Sequence, residues 1–215
     1  MTFDPVHLSA KALAVRRGEG IVVSNVSFAV GPGDALALRG ANGAGKTSLL
    51  RGVAGFSAIA KGDLAFRLNG APADLDEARS VLVHYLGHAA GVKTSLTARE
   101  NGRFWADLFG GGAVDAALTR LGLGGLAASP ASIFSAGQKQ RLALCRLLIA
   151  PRPVWLLDEP SAALDIEGRR LLNMLIAEHR RQGGIVLLAT HDANDVPEAS
   201  VLRVGDGVLS KGVAA

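Results

Sequence analysis

An α/β fold with a parallel sheet at its centre is what the 215-residue sequence predicts. The run ALALRG, followed at once by GANGAGKT and TSLLRGVAGF, reads as strand, glycine loop and helix, the order in which a phosphate-binding loop is built. PVWLLDEP and GIVLLATHD are short, continuously apolar runs ending in charge or histidine. Parallel strands buried on both faces have that appearance, with functional groups at their C-terminal ends.

The remaining elements follow from pattern. Residues 7–40 alternate apolar and polar in short runs separated by the turns RRGEG and VGPGD, which predicts antiparallel strands ahead of ALALRG. KGDLAFRLNG is another turn-bounded strand. Residues 97–128 are rich in Ala, Leu and Gly at helical spacing, predicting a helical insertion. VLRVGDGVLSKG closes the chain as a hairpin. There is no internal repeat, coiled coil or low-complexity tract.

Composition narrows the class. A hydrophobic content of 49% supplies a buried interior, and the length suits one domain with a subdomain. The longest apolar runs, IVLLA (185–189) and LLNMLIA (171–177), fall far short of the ~18 residues of a membrane helix. MTFDPVHLSAK lacks an apolar export segment and a cleavage site, and the single cysteine leaves no internal disulfide framework, so a cytosolic protein is expected. Net charge +4 and a pI near 9.6 would suit nucleic acid or an anionic membrane face. The basic residues come in scattered groups (Arg16-Arg17, Lys139 and Arg141, Arg169-Arg170, Arg180-Arg181) with few aromatics between them. They read as solvated faces, and no nucleic-acid partner is expected.

The chemistry is that of a nucleoside triphosphate. In the loop Gly40, Ala41, Asn42, Gly43, Ala44, Gly45, Lys46, Thr47 and the following Ser48, glycines let backbone N–H groups converge on phosphate. Lys46 reaches the β and γ phosphates, and Thr47 offers a hydroxyl to Mg²⁺. Asp158, at the end of the apolar run VWLLD, can hold the Mg²⁺ shell. Glu159 beside it can orient or deprotonate the attacking water. His191, after IVLLAT, is placed to sense the γ-phosphate. A second anion-binding start is FSAGQ at 134–138, where a serine and small residues expose the N–H groups of a helix beginning.

The ordered set GANGAGKT, FSAGQ, LLDEP, SAALD and THD spans nearly the whole chain and resembles the nucleotide-binding subunit of an ABC transporter. That resemblance implies a P-loop NTPase cassette: a RecA-like core (about 1–87 and 151–215) with an N-terminal antiparallel β part, and a helical subdomain (about 88–150), together one ATP-binding domain over 1–215. It also implies ATP and Mg²⁺ as ligands and a head-to-tail pairing with a second copy. In that pairing Ser135, Ala136, Gly137 and Gln138 of one chain meet the γ-phosphate held by the other, and Asp165 lies along the seam. Ala136 stands where the family usually has glycine. Alignment on the family puts His88 where a glutamine usually contacts Mg²⁺ and water, giving it a catalytic and metal-binding role. The same alignment puts Arg17 where an aromatic ring usually stacks on adenine, and a guanidinium plane can stack too.

Among small cassettes, YLGH, GVKTSLTAREN, the basic residues after FSAGQ, ALCRL, VWLLDEP and GGIVLLATHD resemble the haem-exporter ATP-binding subunit of the bacterial cytochrome c maturation system. This implies an ATP hydrolase serving separate integral membrane subunits, on the cytoplasmic face of the inner membrane, with a haem chaperone reached through the complex. ATP would then drive haem transfer or chaperone release. The alternatives are the ATPase of another ABC importer or exporter and a DNA-associated ABC ATPase, the latter disfavoured by the absence of heptads between Thr47 and Ser135. Haem chemistry is not written in the chain itself. Cys145 sits at helical spacing with Leu142 and Leu148 as a core thiol, and His84 with His88 falls in a strand-to-loop context that does not suit a metal pair. The segment 89–105, AAGVKTSLTARENGRFW, is the expected partner surface, with Val92, Leu96 and Phe104 as apolar contacts and Lys93 and Arg99 at the rim.

Overall fold

The computed structural model describes residues 2–88, 91–190, 196, 198–205 and 209–210. In chain order the elements are β1 (Val6–Arg17), β2 (Gly20–Val30), β3 (Ala35–Arg39), α1 (Lys46–Val53), β4 (Ala58–Leu68), β5 (Ala71–Ala73), α2 (Leu75–Leu82) and β6 (Val83–Leu86). They continue with α3 (Ala98–Phe109), α4 (Val114–Arg120), α5 (Ala136–Ile149), β7 (Val154–Asp158), α6 (Ile166–Arg181), β8 (Ile185–Ala189), β9 (Ser200–Arg203) and β10 (Leu209–Ser210). Two compact units result: Met1–Tyr85 with Arg152–Glu159 and Asn173–Ala215, and Leu86–Pro151 with Pro160–Leu172. The segment 160–172, which carries SAALD, thus goes with the second unit.

The first unit holds two sheets. One is antiparallel, in the order β2-β1-β4-β5; the other runs β10-β9-β3-β8-β7-β6. β9, β3, β8 and β7 are mutually parallel, and β10 turns back on β9 as the hairpin expected from sequence. Every residue of β7 and β8 is buried, which is why both read as unbroken apolar runs rather than alternating ones. β1 alternates at its start, with Val6, Leu8 and Ala10 inside, because one face of an antiparallel sheet meets solvent. α1 contributes Leu49, Leu50 and Val53, all fully buried in the same core as Leu36, Leu156 and Leu187. Each such side chain adds about 1.5–3 kcal/mol by leaving water.

α1 is closed at its C-terminal end from α2. The Arg79 guanidinium donates to Gly52 O at 2.9 Å and Val53 O at 3.1 Å, satisfying carbonyls that have no partner within the helix. α2 itself starts at Asp74, whose carboxylate accepts from the N–H groups of Asp76 and Glu77, an N-cap. At the end of α6, His179 is buried against Trp155 of β7, the rings stacked nearly parallel with centroids 3.8 Å apart, with Phe3 edge-on at 5.2 Å. Burial pushes this imidazole down to about 4.

The second unit is helical. α3 opens with a capping box in which Thr97 and Glu100 satisfy each other's backbone N–H groups, and α5 opens with the same device between Ser135 and Gln138. α3 stops at Gly110, whose φ of 72° is the left-handed geometry of a helix C-terminus. The expected helical stretch 97–128 is therefore two helices broken at the glycines. The loop before α3 is held by the buried Asn101, whose amide accepts from Lys93 N–H and donates to Lys93 O and Thr97 O. Arg146 of α5 lies over the Trp105 ring of α3 at 4.7 Å, a cation–π contact. Cys145 is fully buried and its thiol is pushed up to about 12 by burial. Among the described residues no helix is long and apolar enough to cross a membrane.

Candidate functional site: a phosphate loop beside two strand-end carboxylates

In the first unit β3 feeds a loop that turns into α1. Gly45 is the N-cap of α1 with φ 101°, and a Cβ there would come within 2.5 Å of Val23 Cγ2 and 2.7 Å of Val22 O. Only glycine satisfies both the backbone angle and the close approach of β2. Lys46 is buried, and its ammonium donates to Gly40 O at 2.8 Å and Ala41 O at 3.2 Å. The lysine therefore braces its own loop. A helix start with no side-chain cap leaves its N–H groups to an anion.

The parallel register brings the loop to the acids. Thr47 Oγ1 donates to Asp158 Oδ1 at 3.0 Å, across 111 residues of sequence, because β7 ends level with the start of α1. Asp158 is buried and Glu159, the next residue, is half-buried. Glu159 has a φ of 50° and its N–H donates to Ala189 O at 3.0 Å. A non-glycine residue in left-handed geometry costs about 1–2 kcal/mol, and such strain gathers where a side chain must point in one direction. A hydroxyl and a carboxylate side by side form the all-oxygen donor set that a hard divalent cation prefers. That chemistry fits a divalent cation such as Mg²⁺.

A cavity of about 460 Å³ opens beside Thr47 and Ser48, lined also by Arg16, Arg17, Gly18, Arg51 and Phe56. Its volume suits a nucleoside-sized group. Arg17, which the family resemblance makes an adenine platform, lines this cavity. Arg16 and Arg17 are exposed, as the reading of scattered basic groups as solvated faces expects, and they line this cavity. Arg180 departs from that reading: its Nε donates to Gly33 O at 2.9 Å. Arg16, Arg51 and Phe56 were not foreseen as wall residues. Arg51 had a signal: it lies one turn after Thr47 on α1, hence on the same face.

The second unit carries the other motifs. Ser135 caps α5, its hydroxyl accepting from Gln138 N–H at 3.2 Å while Gln138 Oε1 accepts from Ser135 N–H at 2.9 Å. Ser135 and Ala136 are exposed. A Cβ at Gly137 would lie 2.9 Å from Ala163 O, so the FSAGQ helix and the SAALD segment pack together. Asp165 Oδ1 accepts from Gly168 N–H at 2.8 Å, ordering the first turn of α6, and Gln140 Nε2 donates to Pro160 O at 3.0 Å. His88 is exposed within this unit. Val92 and Leu96 are half-buried, and Phe104 is exposed on α3 with Leu108 one turn on. His191 lies outside the described residues, as do 89–90 of the expected partner surface.

Comparison with known proteins follows the same lines. The ABC transporter family matches residues 23–162 of the chain. The chain belongs to the ABC transporter family. A "Cytochrome c biogenesis ATP-binding export protein CcmA" of Paramagnetospirillum magneticum is 48% identical over 91% of this chain and 93% of its own length. Proteins of the same description from Paracoccus denitrificans and Agrobacterium fabrum are each 43% identical over 92% of the chain, covering 89% and 94% of their own lengths. Among solved structures, a putative ABC transporter ATP-binding protein from Pyrococcus furiosus superposes with a TM-score of 0.77 at 20% identity, over 93% of this chain and 98% of its own. An ATP-binding subunit of an ABC transporter gives 0.81 at 24% identity, over 95% and 89%. These two speak for the fold alone. As a member of the ABC family with this loop and these acids, the chain binds and hydrolyses ATP.

Proposed function

We propose that this ABC ATPase is the ATP-hydrolysing subunit of a haem exporter in bacterial cytochrome c maturation, peripheral to the cytoplasmic face of the inner membrane. The observation that carries the ATPase chemistry is the Thr47–Asp158 hydrogen bond with Glu159 next in sequence. It sets one pair of oxygens for a metal, with the Glu159 carboxylate next to it for water. The assignment to cytochrome c maturation rests on relatives at 43–48% identity whose descriptions name cytochrome c biogenesis and export.

The reaction follows from the chain's own groups. Loop N–H groups and Lys46 bind the phosphates, Arg17 offers its guanidinium plane to the base, and Thr47 with Asp158 would hold Mg²⁺, which neutralises phosphate charge when bound. Glu159 orients a water in line with the γ-phosphorus and accepts its proton as the bond to ADP breaks. The family resemblance would give His191 and His88 hydrogen-bonding roles toward the γ-phosphate and water, and His88 one toward the metal. Ser135, Ala136, Gly137 and Gln138 of a second copy complete the site at the N-terminus of α5, and Asp165 borders the seam. This is why one chain carries two anion-binding starts: each supplies half of two sites. Membrane subunits dock on 89–105 through Val92, Leu96 and Phe104, with Lys93 and Arg99 at the rim, and a haem chaperone is reached through that complex.

The experiment is Glu159→Gln. ATP binding should persist, turnover should fall by about a hundredfold or more, in the range expected when a general base is removed, and an ATP-bound dimer should accumulate on gel filtration. Wild-type turnover in the variant would refute the role of Glu159.

A further inference from the structure

The cavity of about 460 Å³ beside Thr47 and Ser48 offers a base mostly hydrogen-bond donors. Its lining includes the guanidinium groups of Arg16, Arg17 and Arg51, with the Ser57 hydroxyl and the Phe56 ring, and among the described residues no carboxylate or carboxamide side chain. Phe56 is 60% exposed, yet it is braced. Gly55 turns the chain with a φ of 88°, the Phe56 and Ser57 N–H groups donate to Arg51 O at 2.8 and 3.2 Å, and the ring packs on Tyr85 with centroids 5.5 Å apart. Arg16 comes to the same cavity from the sheet. Its backbone pairs with Ala58 of β4 on one side and Ile21 of β2 on the other, and Ala58, two residues after Phe56, is itself a lining residue. Among the described residues the Arg16 side chain makes no hydrogen bond or ion pair, so its N–H groups are open to a ligand.

We propose that this cavity takes guanine as well as adenine nucleotides, with one face of the base stacked on Phe56 and Arg16 donating to the base edge, so that GTP is a second substrate of the chain. The inference rests on the reading of the cavity as the base site. A base stacks on an aromatic ring whatever its substituents, so Phe56 does not choose between purines. The choice falls to the edge. Guanine presents two acceptors, O6 and N7, that match the fork of one guanidinium, whereas adenine presents N7 beside an amino group that is itself a donor. Arginine therefore pairs with the first through two hydrogen bonds and meets the second donor to donor. A site that selects adenine sets an acceptor against its amino group, as a carboxamide does; the side chains lining this cavity have only hydroxyls for that purpose. The chemistry at the γ-phosphate is common to both nucleotides: water adds to the γ-phosphorus, Glu159 accepts its proton, and the bond to GDP breaks as the bond to ADP does.

Displacement of a fluorescent, ribose-labelled ATP from the full chain by ATP, GTP and ITP, in EDTA so that nothing turns over, reads the preference. GTP should bind about tenfold more tightly than ATP. ITP, which keeps O6 and N7 but lacks the 2-amino group of guanine, should bind like GTP. GTP that binds no more tightly than ATP, or ITP that binds like ATP, would overturn the inference without recourse to any variant. Arg16→Met should bring the three nucleotides to within about twofold of one another, and a preference that survives it would overturn the role of Arg16. Phe56→Ala should weaken all three by about tenfold; unchanged affinities would instead refute the cavity as the base site, and the inference with it. With Mg²⁺ present, phosphate release from GTP should proceed with a kcat/KM at or above that for ATP. A chain that hydrolyses ATP but not bound GTP would remove GTP as a substrate.

Discussion

Acid should unfold the first unit through one buried histidine. His179 is 4% exposed, stacked on Trp155 and edged by Phe3, and its folded pKa of about 4 compares with about 6.5 in an unfolded chain. The unfolded state therefore binds the extra proton first as pH falls. The sign is that of a depressed pKa: stability is greatest above about 6.5, declines as pH drops toward 4 and levels off below, with a full loss of about 3 kcal/mol. At pH 5 the loss is about 2 kcal/mol relative to pH 8. Urea unfolding followed by tryptophan fluorescence at pH 8, 6 and 5 measures it, since Trp155 sits on the titrating ring. His179→Gln removes the titration, so its own stability should vary less with pH, and the difference between wild type and variant should shrink by about 2 kcal/mol from pH 8 to pH 5. Other acidic and basic groups are common to both proteins and cancel. A difference constant within about 0.5 kcal/mol would refute the account of His179 as a neutral, desolvated core histidine.

Glu159→Gly should relieve the φ of 50° and raise stability by about 1 kcal/mol while abolishing turnover; urea unfolding and phosphate release measure the two effects, and a destabilised variant would contradict the strain. Val92→Glu, in the loop that Asn101 holds, should leave ATP binding and folding nearly unchanged while reducing recovery of membrane subunits on co-purification. Wild-type recovery would remove that loop from the interface.

Much of the site was legible because its residues are near one another in sequence or bounded by sharp signals. GANGAGKT sits between a buried strand and a helix, and LLDEP ends a strand with no polar residue before Asp158, so spacing alone located the loop and the acids. The alternation in β1 and the glycine turn at 18–20 made the antiparallel part readable too. What was hidden depends on tertiary proximity: the cavity wall joins Arg17, Arg51 and Phe56, and the Tyr85–Phe56 ring contact joins β6 to the loop after α1. β5 and α2 went unread although Asp74, followed by Asp76 and Glu77, is an N-terminal helix signal. Those elements are short, and APADLDEARS looks like a polar loop until the cap is recognised. The left-handed geometry of Glu159 has no sequence signal, since glutamate is not a residue that favours it.

The central claim is that each ATP site is shared, with Lys46 acting on one side and Ser135 on the other. Lys46→Ala should lose nucleotide binding, and Ser135→Arg should bind ATP but not hydrolyse it. Steady-state ATPase of the two variants alone and mixed tests the claim directly. Mixing places both defects in one composite site and leaves the other intact, so activity should recover to about a quarter of wild type, the share expected when half the dimers are mixed and each has one working site. Ser135→Arg that hydrolyses ATP at the wild-type rate on its own would contradict the shared site.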